Sequence, residues 1–273
     1  MPELPEVETV KETLKKEVLH KKIVGVKVYY KNIIAAPKSD LFIHNCLEKT
    51  IVDIQRKGKW ILFDLENYFL LSHLRMEGKY FLRPKEDAPL KHEHVCFIFE
   101  DGMSLRYLDT RKFGRMYLLE KEVAYQQKPL SCLGLEPFDE NLTVSYLQKK
   151  YQHKKLPIKT LLLDQSIITG IGNIYADEIL FLSHISPLKK GQSLTEKELK
   201  AIIDNTVTVL KKAITLGGTT IRSYTSSEGV HGRFQNQLFV HNHEKEPCPI
   251  CQTEIVKIKV GGRGTYYCPA CQK

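Results

Sequence analysis

Two cysteine pairs near the end of the chain constrain its folding more than any other feature. Cys248-Pro-Ile-Cys251 and Cys268-Pro-Ala-Cys271 are separated by 16 residues, the spacing of a four-thiolate zinc ribbon in which each C-x-x-C turn presents two sulfurs to one tetrahedral ion. The intervening QTEIVKIKVGGRGTYY alternates like a hairpin that turns at Gly261-Gly262-Arg263-Gly264. Redox-active or unliganded pairs are the competing account. Four protein ligands leave no open position, so Cys248, Cys251, Cys268 and Cys271 are expected to hold one structural Zn2+ that shapes the hairpin. Lys257, Lys259 and Arg263 follow Glu254 with no further acid, a composition suited to a phosphate backbone. A merely solvated cationic face is the alternative.

The remaining cysteines, Cys46, Cys96 and Cys132, are scattered and bring the total to an odd seven, which argues against a disulfide framework and for a reducing compartment. Lys and Arg outnumber Asp and Glu by 41 to 32, which favours a polyanionic partner over an acidic one. No secretory h-region opens the chain, and no stretch approaches the roughly 18 apolar residues of a membrane helix. A soluble, cytoplasmic protein without membrane contact is expected.

The opening MPELPEVET carries two prolines and three glutamates on a chain of formal net charge +9. Val7, Val10, Leu14 and Val18 recur at helical spacing. Pro5 suits a first turn, and Glu6 and Glu8 suit the positive end of a helix dipole. Pro2 and Glu3 then lie just outside the helix on a short tether, either as reactive groups or as a frayed, solvated chain end.

From Ile23 to about Glu120 the segments IVGVKVYY, KWILFDL, YFLLSHL, VCFIFEDGMSLRYL and RMYLLE are short, β-branched or aromatic, and punctuated by turns such as Asp101-Gly102. Beyond a linker near 121–141 the pattern turns helical in LTVSYLQKKY, IKTLLLDQSI, NIYADEILFLSHI and TEKELKAIIDNTVTVLKKAITL. The stretch 217–237 is rich in Gly, Ser and Thr and reads as a mobile loop. The fold class is therefore α+β. An antiparallel β-sandwich domain preceded by a helix spans 1–130, a helical domain ending in that loop spans 131–235, and a zinc-ribbon hairpin spans 236–273.

Within the helical part, Gly170-Ile171-Gly172-Asn173 stands immediately ahead of a helix, where close backbone approach and unpaired N–H groups suit an anion. No strand precedes it and a third glycine is missing, so it is not a dinucleotide fingerprint. A plain connector is the alternative. Lys149, Lys150, Lys154, Lys155 and Lys159 lie upstream without an intervening acid. With the basic hairpin they point to DNA.

Taken in order, PELPEVET, RKGKW, SHLRMEGKY, KHEHV, DTRKFG, GIGNIYADEIL, GGTT and the zinc ribbon with GGRGTYYC resemble the formamidopyrimidine-DNA glycosylase family over essentially the whole chain. The resemblance implies a base-excision-repair enzyme that removes oxidised purines, 8-oxoguanine and formamidopyrimidines, from duplex DNA. It also implies AP lyase cleavage of the strand by β,δ-elimination. Its helical domain would then be a helix-two-turn-helix motif. After removal of Met1, the Pro2 nitrogen would attack C1′ and form a Schiff base, necessarily an iminium because the amine is secondary, with Glu3 moving protons.

By the same resemblance Lys59 would contact phosphate and act as general acid in elimination, strand alternation aiming it opposite Trp60. Arg263 would grip the flanking phosphates and assist the second elimination, and Asn173 would hold a phosphate. His92, Arg111 and Lys154 would make further DNA contacts. Met76, Arg111 and Phe113 would form a wedge that fills the gap left by the extruded nucleotide, core packing being the ordinary alternative for Met76 and Phe113. The loop after Leu216 would close over the extruded base. The implied partner is damaged double-stranded DNA, bound by a monomer. Competing readings are an endonuclease VIII-like enzyme for oxidised pyrimidines and a non-catalytic zinc-dependent DNA-binding protein, which would not need Pro2.

Overall fold

The helix that opens the chain, α1 (Leu4–Val18), buries Leu4, Val7, Val10, Leu14 and Val18 as one stripe, as the 3.6-residue period requires. The computed structural model describes residues 1–219 and 234–273. These form two compact units, one of Met1–Ser131 with residues 217–219, the other of Cys132–Leu216 with residues 234–273.

In the first unit α1 is followed by β1 (Ile23–Val28), β2 (Ile34–Ala36), α2 (Ser39–Cys46), β3 (Asp53–Lys57), β4 (Trp60–Leu65), β5 (Tyr68–His73), β6 (Lys79–Pro84), β7 (Glu93–Phe99), β8 (Met103–Leu108) and β9 (Arg115–Glu120). They make two sheets, ordered β1-β7-β8-β6 and β2-β9-β5-β4-β3. Every pairing is antiparallel except that of the short β2 with β9. The sheets face one another over a shared core in which Val95, Phe97, Leu105 and Tyr107 meet Ile54, Ile61, Phe63, Leu70 and Met116. This is a β-sandwich, and the ring of Phe63 meets that of Tyr80 edge-on across it at 5.8 Å. α1 packs on β3 and β4.

The second unit contains α3 (Val144–Tyr151), α4 (Ile158–Leu162), α5 (Asn173–Leu182), α6 (Glu196–Thr215), β10 (Val256–Val260) and β11 (Arg263–Tyr267). α6 packs on α3 and α5, and it starts with a reciprocal Thr195/Glu198 capping box. The helical pattern of IKTLLLDQSI yields only five residues of helix. The Asp164 carboxylate accepts from the Ser166 amide at 2.9 Å and the Ser166 hydroxyl at 2.7 Å, a local turn that competes with helix continuation.

β10 and β11 form the anticipated hairpin, but its turn is only Gly261-Gly262, at φ +54 and +79. Arg263 already pairs with Val260 as the first residue of β11. Among the described residues no helix is long and apolar enough to cross a membrane.

Candidate functional site

The first unit carries Pro2, Glu3, Lys59, Met76, His92, Arg111 and Phe113 at the start of α1 and on the sandwich turns. Pro2 and Glu3 are buried, so the frayed, solvated chain end is excluded. Glu3 is the N-cap of α1 in a capping box: its carboxylate accepts from the Glu6 amide, and its own amide donates to Glu6 Oε2 at 2.8 Å. The other oxygen, Glu6 Oε1, accepts from the Thr219 amide at 2.8 Å and the Thr219 hydroxyl at 3.1 Å. Glu6 thus ties the start of α1 to the beginning of the Gly/Ser/Thr-rich stretch. Residues 220–233 of that stretch, expected to close over an extruded base, lie outside the described residues.

Lys59 does not lie in a strand. It sits in the turn between β3 and β4 and is 5 % exposed, because the chain reverses at Gly58, where φ is +58. Arg56 fixes this turn, donating to Gly58 O at 2.9 Å while its Nε holds Glu8 of α1 at 2.7 Å.

His73, at the end of β5, was not singled out by the sequence. Its ring meets Trp60 edge-on at 4.8 Å and its Nδ1 accepts from the Arg75 amide at 3.0 Å. Burial, then the nearby cations Arg75 and Lys59, push its pKa down to about 3. His73 is therefore a neutral imidazole whose proton sits on Nε2, available as a donor. The available signal was a histidine at the end of an otherwise apolar strand beside the motif RMEGKY.

Met76 and Phe113 are 41 % and 48 % exposed, which excludes ordinary core packing for both. The Arg111 guanidinium stacks over the Phe113 ring at 4.7 Å. Asp109 organises this turn, one carboxylate oxygen accepting from the Arg111 amide at 3.0 Å and the other from the Gly114 amide at 2.7 Å.

The Asp109 amide donates to His92 O at 3.0 Å, so the same residue anchors half-buried His92, whose backbone is left-handed at φ +66. The loop before His92 is held by another residue the sequence left unmarked. Buried Arg106 donates to the carbonyls of Pro84, Asp87 and Ala88 and pairs with Glu93 at 3.4 Å. An arginine midway along an alternating apolar strand was its only trace.

In the second unit Asn173 is the first residue of α5, and its Nδ2 donates to Gly264 O of the zinc hairpin at 2.8 Å. Asn173 Nδ2 carries a second hydrogen beyond that contact, at the start of a helix whose positive end favours an anion. Arg263 is exposed at the hairpin turn and Lys154 is exposed after α3. Lys159 leaves the basic run altogether. It is fully buried, with Nζ donating to Asn173 O at 2.7 Å and to Asp177 at 2.6 Å. Asp177 also meets His241 Nδ1 at 2.7 Å, and that ring packs edge-on against Tyr266 at 4.8 Å. The neighbouring Glu178 carboxylate accepts the amides of Phe239, Val240 and His241.

The four cysteine sulfurs lie within 4.8 Å of one another, Cys248 and Cys271 at 3.9 Å and Cys251 and Cys268 at 3.5 Å. A tetrahedron of thiolates about 2.3 Å from zinc places its sulfurs about 3.8 Å apart, so the donor set fits one structural Zn2+. Both knuckles close the same way, Gln252 N donating to Cys248 O and Gln272 N to Cys268 O. With four ligands the ion has no open site for substrate.

The chain falls in the class of zinc-ribbon proteins that combine an N-terminal β-sandwich with a helix-two-turn-helix segment. Family models match residues 1–116 as a formamidopyrimidine-DNA glycosylase N-terminal domain and 133–225 as that family's H2TH domain. Residues 245–273 match a zinc finger found in FPG and IleRS. A formamidopyrimidine-DNA glycosylase of Oceanobacillus iheyensis is 47 % identical over 273 residues, covering 100 % of this chain and 98 % of its own length. One of Bacillus cereus is 48 % identical, covering 100 % and 99 %. Among solved structures, the Lactococcus lactis Fpg complex with abasic-site DNA matches at TM-score 0.92 and 38 % identity, covering 99 % of each chain. A complex of the same enzyme with Fapy-dG DNA matches at TM-score 0.91 and 37 % identity, covering 99 % of this chain and 100 % of that one. The chain belongs to the formamidopyrimidine-DNA glycosylase family.

Proposed function

We propose that the chain, a DNA glycosylase and AP lyase for oxidised purines, acts through the nitrogen of Pro2 once Met1 has been removed. The observation that carries the assignment is the burial of Pro2 beside the N-cap carboxylate of Glu3. Burial and the positive end of α1 both favour the neutral amine, against the pull of Glu3 and Glu6.

The amine lone pair attacks C1′ of the extruded nucleotide, the glycosidic bond breaks, and the base leaves with its electron pair and takes up a proton. Glu3 accepts the proton released from Pro2 and returns one to the sugar as its ring opens. The resulting iminium acidifies the C2′ proton, whose loss expels the 3′ phosphate. A second elimination expels the 5′ phosphate. Lys59 protonates leaving oxygens from its buried turn, and Arg263 and Asn173 hold the flanking phosphates. His92 and Lys154 add backbone contacts, and Met76, Arg111 and Phe113 occupy the vacated stack. The zinc shapes the hairpin that presents Arg263 and takes no part in bond making. The enzyme works as a monomer on chromosomal DNA in the cytoplasm.

The test is reductive trapping on a duplex carrying one 8-oxoguanine. Borohydride is expected to yield a covalent complex with Met1-processed protein and none with Pro2→Gly. Full activity in protein that retains Met1 would rule out Pro2 as nucleophile, and a preference for oxidised pyrimidines would move the substrate assignment.

A further inference from the structure

The turn bearing Met76 and the turn bearing Arg111 and Phe113 each end on a glycine, and both glycines abut the same atom. Tyr107 of β8 is fully buried, its ring edge-on to Tyr80 at 5.2 Å. A β-carbon on Gly78 would overlap the Tyr107 hydroxyl and reach 2.6 Å from Leu74 O. One on Gly114 would overlap the same hydroxyl and stand 2.8 Å from Tyr107 Cζ. The two turns therefore both close against one oxygen.

That oxygen makes no hydrogen bond to any described residue. A phenylalanine would bury the same ring without desolvating a hydroxyl, so stability alone gives no reason for tyrosine. Both turns are also stiff. Asp109 holds one through the amides of Arg111 and Gly114. The other is tied by Gly78 N to Leu74 O at 2.9 Å and by Arg75 N to His73. A stiff turn passes a displacement of its base on to its tip.

From this contact geometry we infer that Tyr107 is a positioning residue: its hydroxyl is the spacer that sets the separation between Met76 and the Arg111–Phe113 pair. The inference rests on reading those three side chains as the wedge, and adds what fixes their spacing. Extrusion of a stacked base requires all three to enter one gap together, whereas a preformed abasic site has already lost the base and demands less of them.

The experiment compares the zinc-loaded, Met1-processed wild type with Tyr107→Phe. Its measurements are thermal unfolding, single-turnover excision of 8-oxoguanine from duplex, cleavage of a preformed abasic duplex, and fluorescence of 2-aminopurine placed beside the lesion. Tyr107→Phe is expected to keep or raise the unfolding temperature and to cleave abasic DNA near the wild-type rate. Excision should fall about ten- to a hundredfold, the scale of a small misplacement of a positioned group, and the fluorescence rise should shrink. Gly114→Ala, which forces the turn outward, should also lose excision selectively.

Wild-type excision and fluorescence in Tyr107→Phe, or an equal loss on both substrates, would overturn the spacer role. Wild-type fluorescence in both Met76→Ala and Phe113→Ala would instead overturn the wedge reading and the spacer with it. Borohydride trapping of abasic DNA by Pro2 reports separately on the nucleophile.

Discussion

The Asn173 side-chain amide donates to the main-chain carbonyl of Gly264 at 2.8 Å, joining the start of α5 to the zinc hairpin across 91 positions of sequence. Asn173 is also held from behind, its own carbonyl accepting from Lys159 at 2.7 Å. The phosphate site proposed at this helix start is thus assembled from three remote stretches of chain, and its integrity depends on all of them.

Zinc removal follows directly. Binding energy at such sites is about 10–16 kcal/mol in isolated finger peptides, far more than a short hairpin holds by itself. Chelation, or Cys268→Ser, should unfold the ribbon, free Gly264 and displace Arg263. Fluorescence anisotropy with lesion duplex should show weaker binding and a shallower dependence on salt, since fewer phosphates are neutralised. Unchanged salt dependence in metal-free protein would contradict this.

Lys159 and Asp177 are both fully buried. Lys159→Ala removes the buried cation from the Asp177 carboxylate, leaving it against His241, and should cost roughly 3–5 kcal/mol in urea unfolding. Because the two groups share one interaction, Lys159→Met combined with Asp177→Leu should cost less than the sum of the single changes.

The neutral state of His73 predicts a pH effect of definite sign. Its folded pKa, about 3, lies below the ordinary histidine value, so between the two the unfolded chain binds the extra proton. Its stabilising contribution is therefore complete above about pH 6.5 and declines as pH falls toward 3. His73→Gln should have a flatter stability profile than wild type across that window, measured by denaturant unfolding at successive pH values.

Glu6 serves both the Glu3 cap and Thr219. Glu6→Ala should lower stability by about 1 kcal/mol, the scale of a lost helix cap. It should also speed amide exchange at Thr219 and slow the borohydride-trapped reaction. Wild-type exchange at Thr219 would show that the contact does not restrain it.

Much of this is legible in the sequence. The four zinc ligands follow from the knuckle spacing, α1 from Val7, Val10, Leu14 and Val18, and the sandwich from short β-rich runs between turns. Each is a pattern within a few turns of chain, and its geometry is imposed by local backbone rules.

What stayed hidden depended on partners far away in sequence. Lys159 read as one more cation of a basic run pointing to DNA, yet it is buried because Asp177 stands 18 positions on. Arg106 and His73 went unmarked in the sequence because the loop carbonyls and the Trp60 face that partner them lie elsewhere in the chain. Lys59 read as a strand residue until the reversal at Gly58 placed it in a turn. Spacing along the chain determines which shapes a segment can adopt, and so the sequence alone settled the sandwich-plus-helix class, the metal ligands and the family, though not every element boundary. Only the packed tertiary structure could decide which charges are desolvated and paired and which turns meet over Tyr107, because those energies arise between atoms that covalent order does not bring together.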